Sequence, residues 1–267
     1  MTVTELFMIE YHATQRSPRM SNEWNSVDVL PPLKDDEVQL WRIELEDATG
    51  LLDRYASLLN AAEQTRASRR IGQVRDHFTI GRACLRLLLA NALAIEARDL
   101  DITNGLHGKP GIEATGQLSV SFNLAHSKDT VLIAIRRHGE LGVDVEHVDN
   151  LTDLMDVARA NFTENESNLL AAIADPQTRL RTFYTYWTRK EAVGKADGRG
   201  LLLPMDSFDV SFETMDSHPI QVSTPGIGDR LYFISDLNMG DKAAAALALE
   251  PSEVPISKFI FPLRLSW

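Results

Sequence analysis

Three short runs near the middle of the chain constrain its fold most. Residues 118–122 (LSVSF), 130–136 (TVLIAIR) and 141–147 (LGVDVEH) read as strands, the last entered through the turn His138-Gly139-Glu140. Connections this short suit antiparallel pairing, because parallel neighbours need a crossover of about a dozen residues or more. Residues 38–45 (VQLWRIEL) alternate apolar and polar side chains as a further strand. Helical patterns cover 51–60, 61–72 and 76–94 before the β-rich centre, and 151–160, 164–174 and 178–196 after it. Strand-like alternation returns in 207–212 and 230–234. Residues 243–249 (AAAALAL) are ambiguous, since alanine favours helix but the run is short and follows a strand and a turn. No sequence repeat is detectable, yet each half reads as helices plus an antiparallel sheet, which predicts an α+β fold.

The 267 residues allow one large domain or two modest ones. An apolar content of 44% is enough to fill a core, so a disordered or fibrous chain is excluded. The balance of 27 Lys plus Arg against 38 Asp plus Glu leaves a net charge of −11 and argues against nonspecific nucleic-acid binding. It does not exclude a polyanionic small ligand held in a local cationic pocket. One cysteine, Cys84, rules out an internal disulfide or Cys-rich metal site and makes the cytoplasm the expected compartment. Neither greasy run, 85–95 or 243–249, reaches the ~20 apolar residues of a membrane span, and no targeting segment is visible. The first thirty-odd residues lack periodicity and end in Pro31-Pro32, as an extension would.

Several residues suggest chemistry. Asp144 and Glu146, two apart on a strand, project from one face while Val143 and Val145 project from the other. Neighbouring carboxylates repel, and a hard divalent cation relieves that repulsion; an acidic solvent face is the plainer reading. Phe183, Trp187, Glu191 and Lys195, spaced by four, run along one helical stripe from aromatic anchors to a carboxylate and an amine. An ordinary Glu-to-Lys helix pair, worth about 0.2–0.5 kcal/mol, explains the last two without function. Gly194-Lys195 is not a phosphate-binding loop, because Ala196 stands where Ser or Thr is required.

His126, in the loop-like stretch FNLAHS, is suited to a phosphate or ribose, although a lone His at a strand end is more often structural. Lys109 sits on the rigid turn GKP, either as a ligand contact or as a solvated side chain. Arg66, Arg69, Arg70, Arg75 and Arg82 form the dense basic region of this acidic chain, and Arg82 and Arg86 share a helical face. Glu166 completes a capping box with Thr163, which accounts for it without catalysis. Cys84 reads as a core residue.

The order GKP, FNLAHS, GVDVE, FTENE and FYTYWTRKEAVGKADGRGLLLPMDSF resembles the 4′-phosphopantetheinyl transferases of the type that activates surfactin synthetase. The resemblance runs from about residue 38 to about residue 249, and its WTRKEAVGKADGRGL block is the most specific part. It implies transfer of phosphopantetheine from coenzyme A to a serine of an acyl or peptidyl carrier protein, with release of 3′,5′-ADP. It implies a Mg²⁺ site (Mn²⁺ as the alternative ion) from Asp144, Glu146 and Glu191, with Glu191 as candidate base and Lys195 on the diphosphate. Nucleotide contacts are implied for Lys109, His126 and Arg82, with Arg66 or Arg70 assisting. Ala125 replaces a serine usual in the family motif, and Glu166 aligns with a family glutamate of debated role.

The implied fold is a pseudodimer of two similar α+β halves with the active site in the cleft between them, acting as a monomer, with 243–249 a strand. On that reading 1–36 is an N-terminal extension, 37–140 the first half with nucleotide contacts, 141–250 the second half with the metal site, and 251–267 a C-terminal tail. A noncatalytic carrier-protein binder and another Mg²⁺-dependent phosphotransferase are the competing readings; the intact acidic trio and Lys195 argue against the first.

Overall fold

A computed structural model describes residues 23–265 apart from 49, 106–107, 113–118, 213–216, 225–227 and 252–253. Most of the expected N-terminal extension, and Leu118 of the expected strand 118–122, lie outside the described residues. The fold is α+β. In chain order the strands are β1 (Asn25–Ser26), β2 (Val38–Glu44), β3 (Ile102–Asn104), β4 (Pro110–Ile112), β5 (Ser121–Ser127), β6 (Thr130–Arg136), β7 (Glu140–His147), β8 (His218–Thr224), β9 (Gly228–Asp236), β10 (Ala243–Glu250) and β11 (Ile256–Ile260). The helices are α1 (Leu52–Ala56), α2 (Ala61–Ser68), α3 (Gly72–Leu93), α4 (Leu154–Asn161), α5 (Glu164–Ala172) and α6 (Pro176–Asp197).

Two main sheets result, ordered β1-β11-β2-β6-β5 and β7-β10-β9-β8. Within them β2–β6, β5–β6, β7–β10 and β9–β10 all pair antiparallel. A core shared by the sheets contains Val38, Leu40, Leu132 and Ala134 from the first and Leu141, Val143, Val145, Leu247 and Leu249 from the second. The opposite face of each sheet has its own core, one under α3 and one under α6. Ala243–Glu250 is extended because Ala246 and Ala248 fill the core under α6 while Ala245 and Leu247 fill the shared one. Burial on both faces overrides alanine's helical preference.

Local chemistry sets the long helices. Asp175 caps α6 by accepting the Thr178 amide at 2.8 Å, Pro176 opens it, and Gly198 ends it at φ +87°. Helix α3 ends on Ala94 in the left-handed region. Gly142 lets α6 lie directly on β7: a Cβ there would stand 2.1 Å from the Ala192 carbonyl oxygen and 2.4 Å from the Ala196 nitrogen.

Four expectations change. Residues 207–212 are not a strand; a single 3-10 turn at Met205–Ser207 leads into irregular chain. Side chains satisfy this backbone in place of a ladder. Lys190 donates to the Met205 and Phe208 carbonyls, Arg189 to those of Val210 and Phe212, and the Val210 amide donates to Glu166. The alternation at 208 and 210 instead buries Phe208 and Val210 against α6. The stretch FNLAHS is not a loop, because β5 continues to Ser127 by pairing with β6. The helix expected over 51–60 spans only Leu52–Ala56, since Asn60 caps the next helix. The expected tail carries β11, which inserts parallel to β2 in the first sheet and is flanked by β1.

Candidate active site

Strand β7 and helix α6 bring four of the candidate residues together. Asp144 is buried, facing α6, while its neighbours Val143 and Val145 enter the core between the sheets. Lys195 donates to Asp144 Oδ1 at 2.6 Å and to the Val143 carbonyl at 3.2 Å. Asp144 Oδ2 is buried with no hydrogen-bond partner. Burial pushes the Asp144 carboxyl up to about 7, Lys195 opposes the rise, and Glu146 and Glu191 add to it. Glu191 is likewise raised, by burial first, against Lys195 and with Glu146. Glu146 accepts a hydrogen bond from Ser127 Oγ at 3.0 Å, and the same Oγ accepts from the His147 amide.

Asp144, raised by its two neighbours and carrying an orphaned oxygen, together with Glu146 and Glu191 has the donor chemistry of a hard divalent cation. As the side chains lie, no three His, Cys, Asp or Glu among the described residues gather into a metal-holding group.

The second component is a cavity of about 830 Å³ walled by α3, β5 and the β5–β6 turn. Arg66, Arg70, Arg82 and His126 line it, with Phe78 on the same wall. Arg66 and Arg70 hold their guanidinium carbons 5.8 and 4.4 Å from the Phe78 ring centroid, so the ring fixes an exposed and a half-buried cation on the cavity wall. Arg82 bonds Glu63, which also takes Arg86 at 2.6 Å. Burial would raise Glu63, yet hydrogen bonds from Arg86 and Arg82 and the charge of Arg82 outweigh it and hold the carboxyl below its usual value.

His126 links the two components. Its imidazole is held below the usual histidine value by desolvation, then by Lys195, His77 and Arg70, with Glu146 opposing. The imidazole thus lines the arginine-rich cavity while feeling the charges of Lys195 and Glu146. Sequence reasoning missed His77 and Asp129, which face each other at 3.2 Å on the cavity wall. The signal was available for His77, one turn of helix before Gly81 and beside Phe78 on the same wall.

Lys109 is not brought to the cavity lining. Its ammonium bonds Glu140 at 2.6 Å and the carbonyls of Leu141 and Ala196 at 3.3 and 3.2 Å. Glu166 forms the expected capping box with Thr163, and is also fully buried against Lys190 at 2.8 Å. Arg69 is exposed and does not line the cavity; Arg75 pairs with Asp76. Cys84 is buried in the core under α3.

A family model described as the 4′-phosphopantetheinyl transferase superfamily matches residues 140–248, the stretch that holds β7 and α6. Among curated proteins, the chain is similar to the 4′-phosphopantetheinyl transferase HetI of Nostoc sp. (strain PCC 7120), 31% identical over 219 residues, covering 81% of this chain and 89% of the relative. It is 29% identical over 183 residues to the 4′-phosphopantetheinyl transferase Sfp of Bacillus subtilis (strain 168), covering 64% and 79% of the two chains. With AcpT of Salmonella typhimurium, named likewise, it shares 32% identity over 147 residues, 52% of this chain and 73% of that one.

Proposed function

The chain belongs to the 4′-phosphopantetheinyl transferases, a family of enzymes, and we propose that it moves phosphopantetheine from coenzyme A to a serine hydroxyl of an apo acyl or peptidyl carrier protein, releasing 3′,5′-ADP. One observation carries the reading: an arginine-lined cavity adjoins, through His126, a pair of half-buried Lys195 and buried Asp144 beside Glu146 and Glu191.

Arg66, Arg70 and Arg82 bind phosphate groups of the nucleotide, and His126, on the same lining, hydrogen-bonds it. Lys195, already oriented by Asp144, stabilises charge developing on the leaving diphosphate oxygen. Glu191 accepts the proton of the attacking serine, a task suited by its raised affinity for protons. Asp144, Glu146 and Glu191 are the side chains that would hold Mg²⁺, or Mn²⁺ in its place; the orphaned Asp144 oxygen and the mutual repulsion of the trio support this assignment. When bound, the ion supplies charge neutralisation at the diphosphate.

The halves are read as a pseudodimer closing on one cleft. In support, β2-helices-β5-β6 and β7-helices-β9-β10 follow the same order and pair alike. One chain supplies both components, which supports action as a monomer. Among the described residues no helix is long and apolar enough to cross a membrane, and a cytoplasmic enzyme is the reading kept.

The test combines purified protein, Mg²⁺, coenzyme A and a broad panel of apo-carrier proteins, with intact mass as readout. Addition of phosphopantetheine that chelator abolishes is expected. Failure on every carrier would overturn the reading, and ATP turnover without carrier modification would replace it with another phosphotransferase.

A further inference from the structure

Lys109 lies where the two components of the site meet. It ends the turn between β3 and β4, which closes through the Gly105 amide on the Lys109 carbonyl at 2.8 Å. The next residue, Pro110, lines the cavity. The side chain runs the other way, its stem passing Gly198, where an added Cβ would stand 3.7 Å from Lys109 Cδ. An ammonium has three N–H bonds to give, and here each has an acceptor inside the protein: Glu140, the Leu141 carbonyl and the Ala196 carbonyl.

Each acceptor lies on β7 or α6, the two elements that carry the carboxylates. Ala196 is in the last turn of α6, where carbonyls lack intrahelical partners and a cation is favoured. It directly follows Lys195, and Glu191 lies little more than one turn earlier. Leu141 precedes Gly142, the residue on which α6 rests, and Asp144 follows two further on. One side chain therefore fastens the cavity wall, the carboxylate strand and the carboxylate helix together.

We propose that Lys109 is a positioning residue that locks β7 and α6 against the cavity wall and so sets the placement of Glu191 and Lys195 on the coenzyme diphosphate. This rests on the transferase reading above, and it replaces the nucleotide contact implied for Lys109 by the resemblance. With its donors engaged, the ammonium has none left for a phosphate, whereas Arg66, Arg70 and Arg82 already line the cavity.

The test uses the full chain and Lys109→Met, which keeps the stem and removes the ammonium. Three quantities are measured: coenzyme A affinity by calorimetry, turnover at saturating coenzyme A and carrier, and amide exchange over residues 190–198. The expected result is a Kd within about twofold of wild type, kcat lower by about ten- to a hundredfold, and faster exchange at the end of α6. Glu140→Gln, which leaves both carbonyls in place, is expected to fall between, and it covers the case in which the methionine variant does not fold. A Kd weakened about tenfold or more with wild-type exchange overturns the proposal in favour of a nucleotide contact. Wild-type exchange together with wild-type kcat overturns it as an idle ion pair. The exchange readout needs neither carrier nor turnover, so failure of the transferase reading is seen separately, as wild-type protein that modifies no carrier.

Discussion

Strand β2 turns Trp41 and Ile43 into the core under α3, while β7 turns Asp144 and Glu146 to the side of α6. Both helices have 22 residues, and their sixteenth positions are Leu87 in α3 and Glu191 in α6. Where one half closes with hydrocarbon, the other carries carboxylates. Behind this difference lies a shared device. Asn60 and Thr163 open capping boxes whose third helical residues, Glu63 and Glu166, are buried. Each carboxylate takes a cation from the fifteenth residue of the following long helix, Arg86 or Lys190. The comparison teaches that the frame is held by a buried ion pair in both halves, whereas the face between strand and helix is free to be core or site.

Mutations can break that comparison, beginning where the halves differ most. Glu191→Gln is expected to lower kcat about 10²–10⁴-fold with unchanged far-UV circular dichroism, because it removes the proposed base and metal ligand together. Leu87→Ala, its counterpart, should cost about 2–5 kcal/mol in urea unfolding and act on activity through stability alone. Comparable loss of kcat from the folded Leu87→Ala protein would show that both faces serve the chemistry.

The shared device is tested next. Glu63→Gln strands Arg86, which cannot lose its proton, and about 3–5 kcal/mol of stability should go with it. Glu166→Gln should cost less. Burial already holds Lys190 below the usual lysine value, with Glu166 opposing, so without Glu166 this side chain can fold neutral. The folded state then binds fewer protons than the unfolded one, and the variant's stability should rise with pH through the alkaline range. Equal losses in the two variants, flat with pH, would contradict this account.

Gly142→Ala adds a Cβ against backbone of α6, at a cost of about 1–3 kcal/mol and a further loss of activity as the helix lifts from β7. Wild-type melting and turnover would show that α6 tolerates displacement. The smallest expected effect is on acid stability. Glu63 has its folded value held below the unfolded one, so its contribution is present above the usual carboxylate value and is lost as pH falls through the lowered value. Glu63→Gln should therefore flatten the acid limb of a stability–pH curve recorded by chemical denaturation.

Much of the fold was legible in the sequence because side-chain periodicity reports burial. The strands over 38–45, 130–136 and 141–147 and both long helices stand within a few residues of expectation. Periodicity misled at 207–212, where alternating residues are buried but the backbone is bonded by Arg189, Lys190 and Glu166 from other elements. It was silent on β11, whose pairing with β2 joins residues more than two hundred positions apart. At the site, spacing put Asp144 and Glu146 on one face, yet could not separate an acidic solvent surface from one in which Asp144 is buried under α6.

By itself the sequence determined the α+β class, the shared face of the strand carboxylates, the stripe leading to Glu191 and Lys195, and the arginine-rich stretch. These follow from local geometry, since the periods of strand and helix are properties of the backbone. Only the tertiary structure decided that Asp144 is buried on Lys195, that Arg66, Arg70 and Arg82 share a cavity with His126, and that Lys109 points away from it. Those outcomes depend on which surfaces approach, and on the cost of leaving a charge without a partner once water is excluded.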